Sequence, residues 1–285
     1  MSESLQHTVG ASFQLAGVGL HTGESVVARV RRAPDGHGLR VVRTDLPGCE
    51  AVPWVEQHVQ NTFLATSVGS EQWTVTTAEH LVAALAGLQI DNALIEVDGP
   101  EVPVLDGSSA GWVAALRSVG RSPGAASRMV VALTQSVEVR SGEAWARLEP
   151  APELDLEVSV DFPHPAIGMQ ALCIRPTPDR FEAELSWART FGFLEDVQRL
   201  RAAGRARGGS LKNAIVFGPD GPLNPGGLRA PDEVVRHKTL DLVADLALIG
   251  ATLRARVVAH RPGHALTRSL VRAARPQLRL VPATA

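Results

Sequence analysis

The chain has 285 residues, of which 45% are hydrophobic and 20% charged, and its formal net charge is −2. This composition is typical of a soluble globular protein of one or two domains, and the charge argues against a general nucleic-acid binder. No apolar run approaches the ~20 residues of a membrane-spanning helix, and the first residues lack the pattern of a secretory signal. Cys49 and Cys173 are isolated and predict neither a disulfide framework nor a thiolate metal site. We therefore expect a cytoplasmic protein without a transmembrane segment.

The first half of the chain carries strand and helix patterns. Residues 26–32 (VVARVRR) and 93–99 (ALIEVDG) alternate as strands, and residues 78–87 (AEHLVAALAG) form an apolar helical pattern. This helix begins with Glu79 and His80, whose side chains point about 100° apart on a helix. They either form an ordinary polar first turn, which also suits the helix dipole, or reach different parts of one site.

The middle of the chain is predicted to connect two domains. Residues 120–128 (GRSPGAASR) are rich in Gly, Ser and Ala and contain a Pro, a composition typical of a linker. We place a boundary near residue 125. The prediction is an N-terminal α+β domain over residues 1–125 and a C-terminal α+β domain over residues 126–285.

The second half repeats the same kinds of pattern. Strand alternation occurs at 129–140, 154–162 and 254–260, and helical patterns occur at 193–206 and 237–250. The helix at 193–206 is amphipathic. Strand runs separated by few helices favour antiparallel or mixed sheets with helices on one face.

The two halves resemble each other in sequence order. Residues 21–34 and 140–152 share a small-Gly-Glu turn, an alternating stretch and a closing Ala-Pro. In each half an ionisable residue precedes an apolar helix that ends in Gly87 or Gly250, and a strand follows. We interpret this as a diverged duplication that gives two similar α+β domains, although chance alternation of strands would produce part of it.

The duplication suggests a metal site. His237 and Asp241 are four residues apart on one predicted helix, so their side chains project on the same face. If this helix packs against its counterpart, His80 joins them, and two imidazoles with one carboxylate are typical of a catalytic zinc site with an open position. Glu79 could then be the general base for the attacking water. The alternative is that His237 and Asp241 form an ordinary pair on a helix surface.

A third imidazole follows a Pro-Gly turn. His264 is expected to be exposed on a rigid loop, a position that suits proton donation to a leaving group. Asp245, one turn beyond Asp241, could orient it. The alternative is a solvent-exposed loop histidine without a role. The residues alone predict no more than a metal-dependent hydrolase.

Several longer segments, taken together, resemble one known family. They follow the family's order and spacing from about residue 8 to about residue 275. The matching segments are AGVGLHTG (16–23), the stretch from TAEHLV to SSAGWV (77–113), DFPHPAIG (161–168), ARTFGFLEDV (188–197), VRHKTLDLVADLALIG (235–250) and RPGHAL (261–266). The family that they resemble is UDP-3-O-acyl-N-acetylglucosamine deacetylase, the zinc amidase of lipid A synthesis.

The resemblance implies a role for each matching residue. It implies one zinc ion per chain, or alternatively ferrous iron, bound by His80, His237 and Asp241. It also implies that Glu79 is the general base, that His264 is the general acid and that Asp245 supports His264. The remaining implied roles are oxyanion stabilisation by Thr190, a sugar-site wall at Phe191, substrate contact by Lys238 and stacking on uracil by Phe162. For Phe162, core packing is an equal alternative.

The resemblance also implies a fold and a substrate. The expected fold is two similar α+β domains whose helix layers are sandwiched between sheets, with the active site between the domains. A β-α-β insertion, matched by residues 193–217, would form an apolar passage for an acyl chain. The implied substrate is a UDP-linked acylated N-acetylglucosamine, with no nucleic-acid partner, and we expect a monomer. The alternatives are a catalytically silent sugar-nucleotide- or lipid-binding relative, and a zinc amidase that acts on another acylated amino sugar.

One position departs from the family pattern. In residues 141–146 (SGEAWA), Ala144 stands where many relatives have a Lys that approaches the substrate's diphosphate. Because a guanidinium can bind phosphate through two hydrogen bonds, Arg140 or Arg147 is expected to take its place.

Overall fold

The computed structural model describes residues 5–283, which form several β-sheets and a set of helices. The strands of the first half are β1 (Leu5–Val9), β2 (Phe13–Val18), β3 (Ser25–Arg32), β4 (Leu39–Arg43), β5 (Val52–Pro53), β6 (Val59–Asn61), β7 (Ser67–Gly69), β8 (Thr74–Val75), β9 (Ala93–Val97) and β10 (Arg121–Ser127). Those of the second half are β11 (Met129–Leu133), β12 (Val137–Ser141), β13 (Ala144–Pro150), β14 (Asp155–Phe162), β15 (Gly168–Ile174), β16 (Phe191–Phe193), β17 (Ile215–Phe217), β18 (Thr252–His260) and β19 (Leu278–Pro282).

The helices are distributed over both halves. The α-helices are α1 (Glu79–Gly87), α2 (Ala110–Val119), α3 (Pro178–Arg180), α4 (Leu194–Ala202), α5 (Glu233–Leu246) and α6 (His264–Ala274). Short 3₁₀ turns lie at Glu56–His58, Ala247–Ile249 and Arg275–Gln277, and a π-helical turn follows α3 at Phe181–Leu185. In the described part of the chain we find no helix that combines the length and the apolar character needed to cross a membrane.

The two main sheets have the same strand plan. The first has the order β2-β3-β9-β4-β5, whose successive neighbours pair antiparallel, antiparallel, parallel and antiparallel. In the second, the path β12-β13-β18-β14-β15 shows the same sequence of directions. Strand β11 runs parallel to the start of β18 and antiparallel to β19. In the first half, β1 forms a parallel bridge just before β9 and pairs antiparallel with β10. The predicted α+β class is confirmed, and the repeated plan supports the expected duplication.

Alternating side chains give each sheet one apolar face. In β3, Val26, Ala28 and Val30 are buried, and in β18 Leu253 and Ala255 are buried while the residues between them are less so. Successive side chains of a strand point to opposite faces, so each apolar face can cover a helix layer.

The helices lie between the two apolar faces. Helix α1 packs against α2 and α5, while α5 and α6 pack on β13 and β14 of the second sheet. Nearly every residue of α1 is buried, and its last residue, Gly87, leaves no room for a Cβ because the ring of Phe181 is 2.4 Å from that position. The buried residues of both halves form one continuous core. This packing places the first turn of α1 beside α5.

The prediction that residues 120–128 form a linker is wrong. Residues 121–127 form strand β10, paired with β1. The carboxylate of Asp35 accepts hydrogen bonds from the amides of Ala125 and Ala126 at 2.7 and 2.8 Å. A proline is tolerated there because β10 lies at a sheet edge. The domain boundary near residue 125 stays a prediction.

The predicted β-α-β insertion is present. Strands β16 and β17 pair in parallel, and α4 connects them with Leu194, Val197 and Leu200 on its half-buried side. In the first half, β6, β7 and β8 form a small additional sheet. Both extra units border the pockets described next.

Candidate active site

Helices α1 and α5 bring three potential metal ligands together. One ligand atom from each of His80, His237 and Asp241 lies within 4.8 Å of the others, and all three residues are buried. The two imidazole centroids are 5.2 Å apart, and Nε2 of His237 is 3.4 Å from Oδ1 of Asp241. The i, i+4 spacing on α5 and the packing of α1 on α5 produce this cluster, as the sequence predicted.

The protonation states of this cluster suit a divalent cation. Burial lowers the pKa of His80 to about 3, and burial also lowers that of His237, so both imidazoles are neutral at pH 7. Burial alone would raise the pKa of Asp241, but neighbouring groups, with the Lys238 ammonium donating to Oδ2 at 2.9 Å, lower it and keep this carboxyl ionised. Nδ1 of His237 lies 3.0 Å from the carbonyl of Ala188, a contact that, with Nδ1 as donor, leaves Nε2 as the metal-binding atom. Neutral imidazoles with one carboxylate are a donor set that zinc accepts.

Glu79 lies beside the cluster with an unsatisfied carboxylate. It is 5% exposed, and its Oε2 has no hydrogen-bond partner among the described residues. Burial is the main reason that its pKa is raised to about 8; the charges of Asp241 and Asp245 act in the same direction, and His264 opposes them. Such a group is well placed to take a proton once a cation lowers its pKa.

His264 is held by Asp245 on the other side of the pocket. Its Nδ1 lies 2.9 Å from Oδ2 of Asp245, and the hydroxyl of Thr66 donates to Oδ1 of Asp245 at 2.9 Å. Burial alone would lower the pKa of His264, but Asp245 and the other nearby carboxylates raise it to about 9. The expectation of an exposed loop histidine is wrong, because His264 opens α6 and its side chain is only 10% exposed. Sequence reasoning missed Thr66, for which no local pattern exists.

The first turn of α1 is fixed from outside the helix. Glu101 is 1% exposed and accepts hydrogen bonds from the hydroxyl of Thr77 at 2.8 Å, from the amides of His21 and Thr22 at 2.9 Å, and from the hydroxyl of Thr22 at 2.9 Å. Thr77 has a φ of 57°, in the left-handed region that residues other than glycine rarely adopt. Ser109 donates to the carbonyl of His80 at 2.6 Å. Sequence reasoning missed Glu101 as well.

Two adjoining pockets extend from the cluster. The first, about 470 Å³, is lined by Glu79, Thr190, His237, Asp241, His264 and further residues, and we call it the reaction pocket. The second, about 720 Å³, has mainly apolar walls that include Phe162, Phe193 and Leu200. Leu64, Phe191, Lys238 and Arg261 line both. A polar reaction site therefore continues into an apolar channel beside α4.

The remaining predicted residues border these pockets. The amide of Thr190 donates to the carbonyl of Gly107 at 2.7 Å, and Nζ of Lys238 donates to Oδ2 of Asp241 at 2.9 Å. The ring of Phe162 lies 5.6 Å from that of Phe191 and 5.7 Å from that of Phe193. Phe162 thus packs in an aromatic cluster and also lines the apolar pocket.

Neither of the two arginines that were predicted to replace the family's Lys at position 144 lines the reaction pocket. Arg140 and Arg147 both stack on Trp145 and pair with Glu138, whereas Ser141 and Ala144 face the reaction pocket. Because side chains alternate along a strand, Arg147 points away from Ala144. The expectation that Arg140 or Arg147 reaches the pocket is therefore wrong. Arg261, which follows β18, lines both pockets instead.

Comparison with known proteins finds one family over nearly the whole chain. A family model described as UDP-3-O-acyl N-acetylglycosamine deacetylase matches residues 6–275. The chain is 45% identical over 267 residues to the UDP-3-O-acyl-N-acetylglucosamine deacetylase of Myxococcus xanthus, and the aligned region covers 94% of this chain and 85% of the relative. Proteins of the same name from an Anaeromyxobacter species and from Shewanella piezotolerans are 43% and 41% identical, over 94% of this chain and 87% and 89% of their own lengths.

Proposed function

The chain belongs to the UDP-3-O-acyl-N-acetylglucosamine deacetylase family, and on that premise we propose that it hydrolyses the acetamide of UDP-3-O-(3-hydroxyacyl)-N-acetylglucosamine. The products are acetate and the free-amine UDP-3-O-acyl-glucosamine, and the reaction is a step of cytoplasmic lipid A biosynthesis. The observation that carries the proposal is the position of Glu79 and His264 beside the buried cluster of His80, His237 and Asp241.

The cluster residues suit a divalent metal cofactor. His80, His237 and Asp241 would hold one zinc or ferrous ion per chain, and their two neutral imidazoles and one carboxylate fit either metal. Bound there, such an ion supplies Lewis acidity that polarises the acetamide carbonyl and lowers the pKa of a water molecule.

The proton transfers are divided between two residues. Glu79 takes the proton of the attacking water as the new carbon–oxygen bond forms, and Thr190 donates a hydrogen bond to the developing oxyanion. His264, whose raised pKa of about 9 keeps it protonated at neutral pH, gives its proton to the sugar nitrogen as the carbon–nitrogen bond breaks. Asp245 holds His264 in orientation through Nδ1. An amine leaves poorly unless it is protonated, so a separate acid and base suit this reaction.

The adjoining pockets account for the substrate. The apolar pocket beside α4 offers room for the acyl chain, with Phe191 at the junction between the two pockets and Phe162 in the apolar wall. Lys238, which pairs with Asp241, and Arg261, which pairs at 2.6 Å with the exposed Glu143, line that junction. The diphosphate of a UDP sugar would meet Arg261 there in competition with Glu143.

A deacetylation assay tests the proposal. Purified protein loaded with zinc is incubated with the UDP-3-O-acyl substrate, and acetate release is followed with and without a chelator. UDP-N-acetylglucosamine without the acyl chain serves as the comparison substrate. We expect chelator-sensitive release that is much faster with the acylated substrate. Binding of the substrate without acetate release would indicate the catalytically silent relative, and release from acylated glucosamine derivatives without UDP would indicate a different amidase.

A further inference from the structure

A second cavity lies at the far ends of the two site helices. It has a volume of about 490 Å³ and is lined by the last residues of α1, Ala86 and Gly87, and by Val243 and Leu246 near the end of α5. His80 precedes Ala86 on α1, and Asp241 precedes Val243 on α5, so the two pockets border successive stretches of the same helices. Among the described residues, its lining has no member in common with that of the reaction pocket.

The body of this cavity is apolar. Both halves of the molecule contribute its walls, which include Leu39, Trp54, Ile90, Leu154, Leu246 and Leu253. Its volume falls in the range of small-molecule sites, which are mostly apolar with few polar groups. An apolar chain that entered it would be covered by residues of both halves, and the burial of that chain would be favourable.

The rim of the cavity is cationic. Arg40 lines the cavity, and its Nε donates a hydrogen bond to the carbonyl of His37 at 3.3 Å. Within residues 5–283, no carboxylate lies in ion-pair range of Arg40. A neighbouring groove of about 1000 Å³ shares the wall residues Ala86, Gln89 and Arg128 with the cavity. Arg121 lines this groove, and it too has no ion pair with a carboxylate in the described part of the chain.

The acidic residues at this surface are already neutralised. Asp91 pairs with Arg128 at 2.7 Å, and two acids of the groove pair with arginines that line it. Those pairs are Glu153 with Arg175 at 2.5 Å and Asp179 with Arg117 at 3.4 Å. Arg175 and Arg117 each also pair with a second acid, Asp155 and Glu182, so the positive charge available to a ligand here comes from Arg40 and Arg121. An anion is attracted to such a rim, and a charge-assisted contact with a guanidinium is strong.

We propose that this cavity is a second ligand site that binds an anionic amphiphile with one apolar chain. The chain occupies the space between the ends of α1 and α5, and the anionic head meets Arg40 in the positive field to which Arg121 contributes. The inference does not depend on the reaction proposed above, because the cavity and the reaction pocket are lined by different residues.

Laurate binding to the full-length, metal-loaded protein tests this site. Equilibrium dialysis with labelled laurate, kept below its micellar concentration, gives the number of sites and their affinities. Ala86→Trp fills the cavity from the last turn of α1, and Arg40→Gln removes the charge at the head. Ala114→Trp, at an exposed position of α2, is the matched control for the added indole. Leu200→Trp narrows the apolar pocket beside α4 and removes binding there.

We expect Ala86→Trp to abolish one laurate site that Ala114→Trp and Leu200→Trp retain. Arg40→Gln should weaken that site about tenfold or more, the loss of one charge-assisted contact. Dodecanol should bind wild type and Arg40→Gln equally, because it has no anionic head.

Laurate binding that Leu200→Trp abolishes and Ala86→Trp leaves intact would overturn the proposal. Binding only to vesicles of anionic phospholipid, with no site for free laurate, would overturn it too. If Ala86→Trp fails to fold, unchanged laurate affinity in Arg40→Gln is sufficient to reject the head assignment.

Discussion

Glu79 and His264 share one buried pocket, and both hold their protons to unusually high pH. The pKa of Glu79 is about 8 because burial disfavours its charge, and that of His264 is about 9 because nearby carboxylates favour its charge. The mechanism proposed above needs an ionised Glu79 and a protonated His264. Without a cation this form dominates only between about pH 8 and 9, and a bound cation extends the range downward by lowering the pKa of Glu79.

The pH profile of activity reports these two groups. We expect a bell-shaped profile that rises as Glu79 ionises and falls as His264 loses its proton near pH 9. Glu79→Ala should remove the acidic limb and His264→Ala the basic limb, each with metal retained. Asp245→Asn removes the carboxylate that raises the pKa of His264, so the basic limb should move to lower pH by about one unit or more. An unmoved basic limb in Asp245→Asn would show that another group supplies the proton.

The buried carboxylate of Glu79 also has a cost in stability. Its pKa is raised from 4.5 to about 8, so its contribution to folding is fully present below pH 4.5 and is lost as pH rises through 8. In metal-free protein, Glu79→Gln should therefore gain stability relative to wild type between pH 5 and 9, by roughly 2–4 kcal/mol at the upper end. Urea unfolding at pH 5 and pH 9 measures this. A difference between variant and wild type that does not change with pH would contradict it.

Arg261 tests the substitution at position 144. Because Arg261 lines both pockets, Arg261→Ala should raise KM about 10- to 100-fold with kcat little changed, the pattern expected when binding is lost equally from ground and transition states. Arg147→Ala is the matched control, since Arg147 lies on Trp145. Ala144→Lys should restore much of the loss in Arg261→Ala. Equal KM values for the two arginine variants would place the diphosphate elsewhere.

At the scale of elements, the start of α1 depends on one buried carboxylate. Glu101 holds both the loop at His21 and Thr22 and the strained Thr77 that precedes α1. The helix has no side-chain N-cap of its own, so these contacts determine where its first turn lies. The direction of Glu79 and His80 follows from that position.

Glu101→Gln should loosen this arrangement. An amide keeps one acceptor oxygen and presents hydrogens in place of the other, so at least one of the bonds from the backbone amides of His21 and Thr22 is lost. We expect metal affinity to fall about 10- to 100-fold, as is typical when groups that support metal ligands are changed. Competition with a chromogenic chelator measures it. Glu56→Gln is the control, because Glu56 is also buried but binds Arg268 and Arg272 on α6. It should lose stability and keep its metal affinity, and equal affinities for both variants would refute the role of Glu101.

At the scale of the whole molecule, the cluster joins the two halves. His80 comes from the first half, and His237 and Asp241 come from the equivalent helix of the second half. The repeated strand plan brings these helices side by side in the middle of the core. An ion bound by these three residues would therefore link the two halves.

Metal removal should accordingly lower the stability of the whole fold. A ligand that binds only the folded state adds RT ln(1 + [L]/Kd), which is about 4 kcal/mol at 1,000-fold excess over Kd. We expect a chelator to lower the Tm of wild type and to leave that of Asp241→Ala unchanged. Calorimetry at fixed free zinc concentration checks this. A chelator effect of equal size in both proteins would mean that the ion is bound elsewhere.

The sequence by itself predicted features that depend on local spacing. Helical periodicity aligned His237 with Asp241, and alternation marked β3 and β18. These predictions held because helix and strand periods are properties of a few consecutive residues. The β-α-β unit around α4 was expected from the family resemblance, and local periodicity alone predicted only its helix.

Only the tertiary structure decided which distant groups meet. Thr66 and Asp245, or Glu101 and Thr22, are far apart in sequence, and no period connects them. Residues 121–127 form a strand because β1 and Asp35 supply partners for their backbone, which composition does not reveal. The burial of His264 and the placement of Arg261 rather than Arg147 at the pocket likewise follow from how α6 and β18 pack. Long-range packing sets these contacts, and it also sets the electric environment that moves the pKa values of Glu79 and His264.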